Sequence, residues 1–268
     1  MPRFICATCG TQYAETAEPP VNCNICKDDR QYVLRAGQRW KTHEDLLQNH
    51  TITMGEDDGI FALSVTPFFA INQRAALVNS IEGNVLWESL SIVTDEAITE
   101  VNRHGGVQAI AISHPHFYTS MVEWSEALGN IPIFLHSEDR QWVARDSTRI
   151  VFWSGDSLSV NSDITLVHCP GHFPGSTVLH WKSGANGRGA LMLGDSIQVA
   201  MDGRQASVMY SYPNAVPVGP SVLHDIRRRL SPYEFENAYG YSWGRNIIGT
   251  AKEAIDLSLS RYLRAITS

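Results

Sequence analysis

The chain has 268 residues, of which 43% are hydrophobic and 18% charged, and its formal net charge is −7 at pH 7. This composition belongs to a folded globular protein of one or two domains and excludes fibrous and disordered classes. The acidic balance argues against a general nucleic-acid binder, which needs a basic face to displace counterions from phosphate, and no apolar run reaches the ~20 residues of a spanning helix. Neither nucleic acid nor membrane is therefore expected as a partner.

In chain order, the opening residues Met1 to Cys6 show no apolar signal region, and four of the five cysteines fall in C-x-x-C pairs, so a cytoplasmic chain is expected. Residues 1–40 hold Cys6, Cys9, Cys23 and Cys26 among turn formers (Gly10, Pro19, Pro20, Asn22, Asn24). They contain too few large apolar residues for a core of their own, and so short a segment needs a metal or disulfides. A boundary is expected here, with a four-cysteine, zinc-ribbon-like segment over 1–40 and the main domain over 41–268. Without its ion the segment is expected to unfold and the domain to stay folded.

Thr42, followed by Glu44 and Asp45, reads as a helix start. Strands are predicted over 61–66, 75–80 and 85–88, the last two joined by the turn signal Glu82-Gly83-Asn84. A helix is predicted over 94–103 behind a Thr94/Asp95 cap, then a buried strand over 107–112, a helix over 120–128 and a buried strand over 131–135. A second strand set follows at 164–168, 177–181 and 190–193, with helices at 222–230 and 251–265. Apolar strands joined by both hairpins and helical crossovers indicate an α/β protein whose sheets are covered by helices.

Two C-x-x-C turns thirteen residues apart let four thiolates converge on one tetrahedral ion. The segment is similar to zinc ribbons and also resembles rubredoxin, which holds iron. Rubredoxin knuckles usually carry Pro after the first Cys, where this chain has Ala7 and Asn24, so zinc is favoured. With all four positions filled by protein, the ion is expected to be structural.

The second constellation lies at strand ends. Ser113-His114-Pro115-His116 follows the predicted strand 107–112, His168-Cys169-Pro170-Gly171-His172 follows another, and Gly194-Asp195 ends a third. Imidazole is a common ligand for zinc and iron. An H-x-H, a P-G-H loop and a strand-end G-D, in that order, resemble the metallo-β-lactamase-fold hydrolases over about residues 51–268. The resemblance implies an αββα sandwich with the metal site at one edge of the two sheets. It also implies His114, His116 and His172 as ligands of the first metal, with Asp195 bridging or ligating. The positions that hold a second metal in that family are Tyr118 and Thr119 here, and no His follows residue 239, where Gly240 to Arg245 stand instead. One zinc or iron is therefore expected, with Asp195 orienting or deprotonating water and Tyr118 either hydrogen-bonding an oxyanion or propping His116. Tyr212, Trp243, Arg245 and His136 are the candidate pocket residues.

The expected function is a metal-dependent hydrolase acting on a small molecule with a carbonyl, thioester or lactone-type bond. Two alternatives stand beside it. Persulfide dioxygenases share the fold and hold one iron with two His and one Asp, which His114, His172 and Asp195 supply. The other is a non-catalytic metal-binding module in which the ribbon docks a protein partner or a second copy of the chain.

Overall fold

A computed structural model describes residues 1–268. Seven strands form the first sheet, in the spatial order Ile150–Trp153, Ile133–His136, Ala109–Ala111, Val85–Trp87, Arg74–Val78, Ile60–Thr66 and Thr51–Asp57. Six form the second: Ser157–Ser159, Ile164–His168, Thr177–Trp181, Ala190–Gly194, Asn237–Gly240 and Asn246–Ile247. Successive side chains of a strand point to opposite faces, and Ile60–Thr66 shows the consequence. Its Ile60 and Ala62 enter the layer between the sheets, where Leu166, Leu179 and Met192 of the second sheet meet them. Its Phe61, Leu63 and Val65 face the outer layer. A strand covered on both sides is apolar throughout, which is why this one was legible.

The outer face of the first sheet is covered by helices Asp95–Arg103 and Met121–Ala127, through Ala97, Val101, Met121 and Trp124. Pro220–Leu230 and Ala251–Thr267 cover the second sheet through Leu223, Ile226, Ile255 and Leu259. The architecture is the αββα sandwich. Thr94 caps its helix as the sequence predicts, with Oγ1 accepting from Ala97 N at 3.2 Å. Thr42 and Asp45 form a reciprocal capping box on His43–Leu47. Four strands of the two sheets escape prediction: Thr51–Asp57, Ile150–Trp153, Ser157–Ser159 and Asn246–Ile247. All lie at sheet edges, and apart from Ile150–Trp153 none has a continuous apolar run of more than two residues. No helix is long and apolar enough to cross a membrane.

The N-terminal segment folds as a small antiparallel sheet, Gln12–Glu15, Arg3–Cys6 and Trp40–Lys41. It does not stand apart. Ile5, Ile25 and the four cysteines belong to the same apolar cluster as Leu63, Leu77, Ile110 and Trp124, so the segment closes the outer core of the first sheet. Between the two main sheets Arg74 acts as a clamp. Its Nε donates to Gly240 O at 3.1 Å and its Nη2 to Asn246 Oδ1 at 2.6 Å, and Nη1 pairs with Asp57.

Candidate metal centres

The four N-terminal cysteines are all buried and free of disulfides. Sγ of Cys6 lies 3.5 Å from that of Cys26, and Sγ of Cys9 lies 3.6 Å from that of Cys23. Bonds of about 2.3 Å to a tetrahedral ion place sulfurs roughly 3.8 Å apart, so the cage fits such an ion. Gln38 Nε2 donates to Cys6 Sγ at 3.0 Å, and Cys26 N to Cys23 Sγ at 3.5 Å, contacts that favour thiolates.

The second centre collects three strand ends at one edge of the sandwich. Beyond Ala109–Ala111 the chain reaches His114, and the turn Pro115–Phe117, opened by a proline with its preset φ, brings His116 beside it. His172 sits in the loop between Ile164–His168 and Thr177–Trp181, and Asp195 directly follows Ala190–Gly194. Thr177 N donates to Ser113 O at 2.9 Å, tying the ends of the two sheets together.

Four ligand atoms, one from each of these residues, lie within 4.8 Å of one another. His114 Nε2 is 2.9 Å from Asp195 Oδ1, His172 Nε2 is 3.9 Å from the same oxygen, and His172 Nε2 is 3.1 Å from His116 Nδ1. Nitrogen and oxygen ligands of a tetrahedral ion stand roughly 3.3 Å apart, and these spacings bracket that value. Although 2.9 Å apart, His114 Nε2 and Asp195 Oδ1 form no hydrogen bond with each other or with any other group, as expected of buried atoms that share an ion. The opposite nitrogens fix the rings. Ser113 Oγ lies 2.7 Å from His114 Nδ1, and the carbonyls of Met209 and Tyr210 each lie 3.0 Å from His172 Nδ1.

The electrostatics suit a cation. Burial pushes His116 well below the ordinary imidazole range and His172 down to about 4, so both are neutral near pH 7 with a lone pair to give. Burial works to raise Asp195, but His114 and His172 outweigh it and hold the carboxyl well below the usual carboxylate range.

Beside the four ligand residues lies a cavity of about 180 Å³, whose lining includes Thr8, Gln31 and Tyr32 of the N-terminal segment and Gln198, Tyr212 and Tyr241 of the body. Of the pocket residues expected from the sequence, Tyr212 is in place. The other three are corrections. His136 stacks on His168 with centroids 3.9 Å apart and packs against Trp153. With Glu138 they make a third close group, but His168 Nε2 is engaged by Pro174 O at 2.7 Å. Trp243 turns into the layer between the sheets and donates to Ser64 Oγ at 2.8 Å. Arg245 closes a tight turn with Ser242, which leaves Tyr241 at the cavity instead.

Of the two roles expected of Tyr118, the one toward an oxyanion is not met: it is buried away from the cavity lining, with the carboxyls of Asp139 and Glu88 near it, and burial pushes its phenol up. Thr119 Oγ1 sits 2.6 Å from Ser89 Oγ, and its carbonyl accepts from Gln12 N. Both residues at the family's second-metal positions are thus spent on packing.

Sequence reasoning missed Glu88, Arg30 and Tyr241. Glu88 has φ +70°, a strained value for a non-glycine residue, and it is fully buried with its Oε2 accepting from Ser113 N at 3.1 Å. An acid ending the apolar strand Val85–Trp87 was the available signal. Gly194 is required beside it. With φ +57°, a Cβ there would stand 2.5 Å from Ser113 Oγ and 2.8 Å from Glu88 Oε1.

No protein-family model matches the chain. The uncharacterized protein YmaE of Bacillus subtilis is 41% identical over 273 residues, which cover 100% of this chain and 98% of YmaE. Among solved structures, VMB-1 superposes with a TM-score of 0.59 at 12% identity, covering 81% of this chain and 98% of its own. The metallo-β-lactamase DIM-1 gives 0.57 at 14%, over 81% and 98%. TTHA1623, in a di-iron-bound form, gives 0.52 at 20%, over 72% and 96%. These likenesses establish a metallo-β-lactamase fold.

Proposed function

The chain belongs to the family of YmaE and has the metallo-β-lactamase fold, and from that premise we propose that it is a hydrolase working at a single metal ion held by His114, His116 and His172, with Asp195 beside the ion and one position left open for water or substrate. One observation carries the reading: three imidazoles and a carboxylate converge beside a cavity, with His114 Nε2 and Asp195 Oδ1 buried and forming no hydrogen bond. A zinc ion held there would supply polarisation of a carbonyl and a pKa of about 7 for its bound water.

The chain's own groups supply the rest. Asp195, ionised and reaching the cavity, accepts a hydrogen bond from the attacking water and orients it. Tyr241 accepts from Gln198 Nε2 at 3.3 Å, and burial keeps its phenol protonated, so its O–H is free to donate to a developing oxyanion. Tyr241 thereby takes the role that the sequence offered to Tyr118. No Lys or Arg lines the cavity, and it is smaller than the ~300–1,000 Å³ of drug-sized sites. A small, uncharged ester, thioester or lactone fits these limits.

Iron oxidation chemistry is the second reading. Imidazole and carboxylate suit iron as well as zinc, and TTHA1623, of like fold, is described in a di-iron form. Element-specific X-ray absorption on the purified protein separates the two, and iron with oxygen-dependent turnover overturns hydrolysis. The ligand set is tested by His172→Ala. Metal content is expected to fall from about two ions per chain to about one, with the four-cysteine ion retained and ester or lactone turnover lost in proportion. Wild-type protein holding three ions, two of them close together, would falsify the single-ion site.

A further inference from the structure

We propose that the four-cysteine segment is a working part of the His/Asp centre, with Arg30 as a positioning residue that fixes His172 for its ion. The inference rests on the metal site of the proposed function but not on the reaction assigned to it. A ligating imidazole is held by what its other nitrogen and its backbone bond to. For His172 the other nitrogen faces Met209 O and Tyr210 O, and its own carbonyl accepts from Arg30 Nε at 2.7 Å. The same guanidinium lies 4.4 Å from the ring centre of Tyr210 and 4.9 Å from that of Phe173. One cation thus grips both the loop that carries His172 and the strand that orients its ring. Asp28 holds Arg30 in turn, with Nη1 at 2.8 and 3.0 Å from its two oxygens.

Arg30 reaches this place because its loop continues the second cysteine knuckle. Lys27 N donates to Cys23 O at 3.0 Å, and Asp28 N to Ile25 O at 3.2 Å. Beyond the knuckle the loop is fastened to the body. Tyr210 Oη donates to Asp29 Oδ1 at 3.0 Å and Ser211 Oγ to Arg30 O at 3.0 Å, while Asn214 Nδ2 donates to Asp29 O and Gln31 O at 3.0 and 3.1 Å. The next residues, Gln31 and Tyr32, wall the cavity. An ion that shapes the knuckle therefore shapes the site some distance away.

The test measures zinc affinity by chelator competition, and the visible spectrum after cobalt substitution, for wild type, Arg30→Ala and Arg30→Lys. All four cysteines remain in each. Arg30→Ala is expected to keep its four-cysteine ion and to bind the His/Asp zinc about 10–100-fold more weakly, the usual cost of losing a group that orients a ligand. The d–d bands of cobalt at that centre should shift. Arg30→Lys should recover only part of the affinity, because a lysine keeps the charge but loses the planar fork that bonds His172 and Asp28 together. The proposal is overturned if Arg30→Ala holds its second zinc within about twofold of wild type, or if it loses both ions together, which marks a general loss of stability. Wild type that loads two ions yet hydrolyses nothing removes the hydrolase reading and leaves this one in place.

Discussion

Asp139 shows how one buried group ties the metal loop to pH. Its Oδ1 accepts from Gly175 N at 2.8 Å in the loop that carries His172, while Oδ2 is buried without a partner. Burial pushes the carboxyl up to about 8, against the pull of Gly175 N–H and Arg30. The folded protein therefore keeps a proton that the unfolded chain has already lost. Its stabilising contribution is full below the unfolded value near 3.8 and disappears as pH rises through about 8. Within that window wild type loses about 1.4 kcal/mol per pH unit through this group. Asp139→Asn keeps the acceptor for Gly175 and has nothing to ionise. Its stability advantage over wild type, read from urea unfolding, is expected to grow by roughly 2 kcal/mol between pH 6 and pH 8. A gap that stays constant across that range counts against a protonated Asp139.

At the scale of elements, the N-terminal segment changes what metal loss should do. The sequence suggests a coreless segment that unfolds alone. Its Ile5, Ile25 and cysteines instead complete the outer core of the first sheet. Cys23→Ser is therefore expected to lower the melting of the entire protein in one calorimetric transition, by at least roughly 3 kcal/mol or about 10 °C. Two separated transitions would restore the independent segment. The same contrast marks what sequence could and could not reveal. Ile60–Thr66 and Ile164–His168 are apolar runs, and His114, His116, His172 and Asp195 follow such runs, so local pattern was enough to find them. Arg30, Gln31 and Tyr32 belong to a turn-rich stretch without periodicity; Gln31 and Tyr32 reach the cavity, and Arg30 reaches His172, only through packing against residues well over a hundred positions away. The place of Trp243 and Arg245 after a strand points to the pocket, but side-chain direction in a tight turn depends on its register, which composition does not carry.

Across the whole molecule, the two sheets are held by more than apolar contact. Arg74 stands in the first sheet and bonds Gly240 O and Asn246 of the second, with Asp57 as its counter-ion. Removing one partner of a buried pair leaves an uncompensated charge, a loss of about 3–5 kcal/mol. Arg74→Ala is expected to lose that much in urea unfolding, and a loss below about 1 kcal/mol, as for an exposed pair, would show that the clamp is idle. The wall shared by the knuckle loop and residues 209–214 has a different consequence, one of timing. A ribosome makes Cys26 about 190 residues before Asn214, an interval of roughly 10–40 s at ordinary elongation rates. Early in that interval the four thiols and Ile25 lack Leu63, Leu77, Ile110 and Trp124, which later join them in the outer core. The four cysteines are thus available to an ion while the chain is still tethered, whereas the His/Asp centre is complete only once Met209 and Tyr210, whose carbonyls support His172, have been made.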